Sequence, residues 1–208
     1  NLDTFRILCE ALRALQGLTS LSLGGCYLGP KALALLAEVV FRDARAVLEV
    51  LAVGNNPIGS EGGSALVAAV KTSNLKIIDI GKPLPVQEPY ESQTLDISQT
   101  GMGPGQVVIL SWWLTTPFSA VLKKVVLSQN FLFGSKLNHD MWGETVHDVD
   151  ADQTGWSALC DVLPAAPLEE LIVADVGMGV TGVTSLAKAI TSMVVLARVS
   201  VLSNPIGA

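Results

Sequence analysis

Apolar residues recur along this chain in two alternating rhythms, a short strand-like one and a longer helical one. In the stretch LEVLAVGNNPIG, apolar side chains fall at Leu48, Leu51, Val53 and Ile58, with a polar amide at Asn56. Alternation over three residues predicts a short half-buried strand, and the Gly-Asn-Asn-Pro run behind it predicts a sharp turn. The pattern returns at Leu18, Leu21, Leu23 and Leu28, where Cys26 takes the amide's place, and again at Leu122, Val125, Leu127, Asn130 and Leu132. Further strands are predicted at Leu75–Ile80, Leu95–Ile97, Leu168–Val173 and Leu196–Val201.

Helical periodicity fills most of the intervals. Phe5, Leu8, Cys9 and Leu12 form the inner stripe of a helix over residues 3–13. Pro30 starts a second helix, suited to a first turn that needs no amide donor. Others follow at residues 62–70, at 105–115 around VVILSWWL, and at 154–163, and a helix around Ala187 and Lys188 fills the last strand-to-strand interval. Two segments depart from the rhythm. Residues 81–94 hold three prolines and cannot continue as a helix, so an irregular connection replaces one. Residues 134–153 form a polar insertion.

The unit fits L-x-x-L-x-L-x-x-N-x-L and resembles the leucine-rich repeat, in its long ribonuclease-inhibitor-like form. The resemblance implies an α/β solenoid, with one curved parallel sheet on the concave side and helices on the convex side. Strands spaced ~4.8 Å apart under helices ~10 Å wide would bend the stack. The whole of 1–208 reads as one solenoid segment. Because a helix without a strand opens it and a strand without a helix closes it, it reads as an excerpt of a longer array, with contacts to further repeats or chains expected at both ends. Aligning the helices places Cys9, Ala37, Val67, Ser111, Cys160 and Ala187 at one small-residue packing position. Asn56, Asn130 and Asn204 are expected to satisfy backbone groups in the turns.

Half of the 208 residues are apolar and only 15% are charged, as expected where apolar positions are shared between stacked units. The net charge of −6 and the single basic doublet, Lys123-Lys124, exclude a broad phosphate-binding surface. No apolar run approaches the ~18–20 residues of a membrane helix. Three scattered cysteines, Cys9, Cys26 and Cys160, do not form a disulfide framework and suggest a reducing, cytoplasmic setting.

Few motifs carry chemistry. The glycine clusters at Gly101–Gly105 and Gly177–Gly182 lack the Lys-Ser/Thr of a phosphate loop and coincide with repeat turns. The 134–153 insertion gathers His139, His147, Asp140, Glu144, Asp148, Asp150 and Asp152, all metal-binding types. Its Asp-x-Asp-x-Asp start lacks the glycine and distal glutamate of a calcium loop, so a solvated loop with Asp152 or Thr154 capping the next helix is preferred over an ion site. No cofactor is expected, and no nucleophile, base and orienter converge to make an enzyme.

Alternation leaves Asp79, Asp96, Lys124, Glu170 and Arg198 on the open face of the strands, with Ser20, Ser22, Val50, Ala52, Ile77, Val126, Ile172 and Ser200. In the helix alignment Trp112, with Val108 one turn earlier, points outward, so either Met141 and Trp142 of the insertion cover it or a partner does. The family resemblance implies a non-catalytic scaffold that binds protein through these surfaces: the concave sheet, the rim insertion with Trp142, and the convex patch at Trp112. Two alternatives remain: a Ran-type GTPase-activating protein, and the ligand-sensing repeats of an innate-immune-type receptor.

Overall fold

The computed structural model describes residues 1–41, 47–134, 136–140, 143–147 and 149–207, and for 136–140 and 143–147 the backbone alone. Helix α1 (Leu2–Ala14) opens the chain, followed by β1 (Ser20–Ser22), α2 (Pro30–Val40), β2 (Val50–Ala52), α3 (Gly59–Val70) and β3 (Ile77–Asp79). Next come β4 (Pro83–Pro85), β5 (Thr94–Asp96), α4 (Pro104–Leu114) and β6 (Lys124–Val126). An antiparallel hairpin, β7 (Lys136–Asp140) and β8 (Gly143–His147), precedes α5 (Thr154–Val162), β9 (Glu170–Ile172), α6 (Val180–Ile190) and β10 (Arg198–Ser200).

Every repeat strand is three residues long, and all but β10, whose Val199 is half-buried, bury the middle side chain. Parallel registry lines up Leu21, Leu51 and Ile78 in one row, and Leu95, Val125, Leu171 and Val199 in another. Two residues further on, Leu23, Val53, Ile80, Ile97, Leu127 and Val173 turn inward again and are buried. The helices close over these rows with Leu33, Leu36, Leu66, Val107, Leu110, Trp156, Leu159 and Leu186. The core is therefore a slab between a strand layer and a helix layer, as period-2 and period-3.6 patterns on one chain require.

The expected single sheet is a correction. There are two four-stranded sheets, ordered β1-β2-β3-β4 and β5-β6-β9-β10. The break lies in the segment read as an irregular connection, where β4 folds back antiparallel on β3 with Leu84 opposite Ile78. The Ile80 N–H donates to Lys82 O (3.3 Å) and the Val86 N–H to Lys76 O (2.8 Å), so even-numbered residues face β3. Pro83 and Pro85 consequently turn their nitrogens outward, and proline has no N–H to offer another strand. The outward carbonyl of Pro85 instead accepts the Trp113 indole N–H at 2.7 Å. Tyr90 stands edge-on to that indole, with centroids 5.5 Å apart. The sheet thus ends on a strand that cannot donate, and a buried tryptophan takes one of its outward acceptors.

The helix layer runs past the break: α2, α3, α4 and α5 each pack on the next. Glycines make the close approach possible. A Cβ on Gly105 would lie 2.0 Å from Gly59 O, and one on Gly155 would lie 2.3 Å from Pro104 O. Of the predicted small-residue positions, Cys9, Ala37, Ser111 and Cys160 are buried and Val67 is half-buried, but Ala187 is exposed because α6 has a helix neighbour on one side only. Leu8, expected on the inner face of α1, is also exposed, since among the helices α2 alone packs there.

The turns after β1, β2, β5, β6, β9 and β10 invert their backbone at the residue before the asparagine position, with positive φ at Gly25, Asn55, Gln99, Gln129, Asp175 and Ser203. The asparagines themselves occur at every second turn and serve two turns each. Asn130 donates to Ile97 O (2.7 Å) and Leu127 O (2.9 Å) and accepts from the N–H groups of Thr100 (3.1 Å) and Met102 (2.9 Å). Asn56 joins Leu23 O and Val53 O to the Leu28 N–H, and Asn204 joins Val173 O and Val201 O to the Val176 and Met178 N–H groups. The turn reached back to carries Cys26, Thr100 or Val176 instead. Successive asparagines stand seventy-four residues apart in both cases, although β3 and β5 lie between the first two and β9 alone between the last two.

Two measurements check this construction. Asn130→Ala leaves several buried backbone groups unpaired, and urea denaturation should show a stability loss of about 3 kcal/mol. Gly105→Ala forces α3 and α4 apart and should cost about 3 kcal/mol in the same assay; a neutral result would mean that the helices are not in contact there.

Candidate protein-binding face

With the middle residue of each strand committed to the core, the flanking two must point away from the helices. In the first sheet the outward rows are Ser20–Val50–Ile77–Pro85 and Ser22–Ala52–Asp79–Pro83. In the second they are Thr94–Lys124–Glu170–Arg198 and Asp96–Val126–Ile172–Ser200. Five predicted site residues, Asp79, Asp96, Lys124, Glu170 and Arg198, stand in these rows. The first sheet presents mostly small or apolar neutral groups, and the second presents charge.

The structure brings Lys124, Glu170 and Arg198 together. Glu170 Oε2 lies 3.0 Å from Lys124 Nζ and 3.7 Å from Arg198 Nη1. That oxygen has no aligned hydrogen bond, so the contacts are charge against charge. A rim row repeats the theme, with Lys123 on Glu169 at 2.6 Å and Lys76 on Glu49 at 2.7 Å. Partly exposed pairs of this kind contribute ~0.2–1 kcal/mol each, so the ladder adds little to folding.

Both aspartates are tied to their own turns. Asp79 Oδ1 accepts the Gly81 N–H at 2.8 Å. Asp96 Oδ1 accepts the Ser98 hydroxyl at 2.6 Å and the Ser98 N–H at 2.9 Å. The Ser98 hydroxyl, then its N–H, with Lys82 and Lys124 assisting, holds the Asp96 carboxyl below its ordinary 3.8.

Trp112 and Val108 lie elsewhere, on α4 in the helix layer. Both are half-buried, and Trp112 packs against the core. Trp142 and Met141, expected as its cover, fall outside the described residues, as do the side chains of His139, Asp140, Glu144 and His147, and residue Asp148. Trp156, read as core, is fully buried, tilts against Phe133 at 5.1 Å, and donates to Gly182 O at 2.9 Å.

The acidic end of the insertion binds protein backbone. Asp152 Oδ1 accepts the Thr154 N–H at 3.0 Å at the start of α5, the capping role expected of it. Asp150 does the same for a helix some thirty residues away. Its Oδ1 accepts from Gly179 N–H at 2.9 Å, and its Oδ2 from Thr181 N–H (2.9 Å) and Gly182 N–H (3.2 Å). Helix α6 begins at a glycine with no cap of its own, and a Cβ on Gly179 would meet Asp150 Oδ2 at 2.7 Å. Both carboxylate oxygens of Asp150 are thus engaged by amides. Among the described residues no three His, Cys, Asp or Glu side chains come together as a metal site, and no helix is long and apolar enough to cross a membrane.

The cysteines are free thiols: Cys9 and Cys160 are buried, and Cys26 is exposed. Burial pushes both buried thiols up, Cys160 to about 12, which leaves them protonated and poorly nucleophilic near neutrality. Sequence reasoning also missed Gln106. Buried in the first turn of α4, it accepts the Gly103 N–H at 3.0 Å and donates to Asn56 O at 2.7 Å. A polar residue inside the apolar run PGQVVIL was the available signal.

A sequence model of the leucine-rich repeat matches residues 46–67, the stretch that holds β2, the Asn56 turn and most of α3. The match covers this one repeat unit of the chain. No curated protein matches the chain. Among solved structures, leiomodin-1 actin-binding site 2 is similar at 10% identity, over 99% of this chain and 80% of that one, with a TM-score of 0.32. The tropomodulin C-terminal domain of Caenorhabditis elegans is similar at 8% identity, over 92% of each chain, with a TM-score of 0.37.

Two outcomes test the local chemistry. Asp150→Ala should speed hydrogen exchange at Gly179, Thr181 and Gly182 and lower stability by about 1–2 kcal/mol, leaving α2 unchanged; unaltered exchange would refute the long-range cap. Ser98→Ala should move the NMR titration midpoint of Asp96 upward, toward 3.8. Because the folded value is the lower one, the contribution of Asp96 to stability is present above 3.8 and fades as the pH falls through the folded midpoint.

Proposed function

We propose that this protein is a non-catalytic protein-binding module, a scaffold or subunit of a larger assembly, that meets its partner with the outward rows of its sheets. One observation carries the reading. The seven parallel repeat strands turn their flanking side chains away from the helix layer, and these side chains are half-buried or exposed rather than core. Val126 and Ile172 supply an apolar centre beside the Lys124–Glu170–Arg198 ladder, the mixture of apolar centre and polar surround that protein interfaces use.

The finer reading is a ribonuclease-inhibitor-like solenoid, its sheets concave and its helices convex, in the cytoplasm. Strand-to-strand spacings of 27–30 residues in four of the six intervals, with a helix in five of the six, support the subfamily, and three unpaired thiols fit a reducing compartment. The patch at Trp112 and Val108, with Trp142 of the insertion, is the second candidate contact.

Affinity capture with the full chain separates the surfaces. Glu170→Lys and Ile172→Glu should each abolish capture of a partner that Trp112→Glu still retains, with every variant first shown folded by its thermal melt. Loss with Trp112→Glu alone would move the working surface to the helix layer. Retention by all three variants would overturn the reading.

A further inference from the structure

We draw no further inference here: the strongest candidate, the cleft of about 310 Å³ between α5 and α6 lined by Cys160, Asp161, Lys188 and Ala189, is an unpartnered helical face, and nothing in the structure shows what covers it.

Discussion

A carboxamide inside a turn is the interaction on which the stacking depends. Strands of three residues make too few ladder bonds to fix their own registry, and the turn behind each one leaves N–H and C=O groups pointing along the stack. Such groups cost about 1–3 kcal/mol apiece if buried and unpaired. Asn130 has both a donor and an acceptor at the end of a short, stiff side chain, so it can bind the carbonyls of two turns and the amides of one. Alanine would leave them bare, and Asp would bring a buried charge in place of the donor. One asparagine for two turns is enough because the neighbouring turn needs only to be reached, which is why Cys26, Thr100 and Val176 can stand where an amide does not.

Much of this was legible in the chain. The strand rows followed from alternation because a three-residue strand has only one way to bury its centre, and the structure places all five strand-borne site residues on the outward side. The core position of Trp156 followed from helix alignment for the same reason. What alternation could not reveal is what happens between units. Pro83 and Pro85 were visible as a reason for no helix, but their effect as a sheet terminator depends on which way their nitrogens face, and registry with β3 decides that. Asp150 lay in an acidic run suggestive of metal, whereas its partners, Gly179, Thr181 and Gly182, are about thirty residues further on and carry no local signal that an acid is coming.

The interruptions fall where the local packing tolerates them. The sheet is cut between β4 and β5, yet α3 and α4 touch through glycine and carbonyl, with Gln106 bonded to Asn56 O across the gap. The helix layer therefore carries continuity past the point where the strand layer loses it. At the second interruption neither layer is cut. The β6–β9 ladder is intact, α5 and α6 are less closely packed, and the carboxylates of Asp152 and Asp150 fix the two helix starts from a single turn. In neither case are both layers cut, so two excursions can be inserted without dividing the slab core.

The same division bears on what the outward face can do. Because folding energy resides in the buried middle row and the turn amides, the flanking rows are free to vary with little cost to stability. Ion pairs worth under about 1 kcal/mol in water gain importance when a partner excludes solvent, and there they discriminate between partners more than they strengthen binding. Glu170 lies between Lys124 and Arg198, within ion-pair distance of both. On the proposed binding face, such a ladder would select a matching surface by penalising a mismatched one, since a partner that displaced Glu170 would leave two cations facing each other across the face of the sheet.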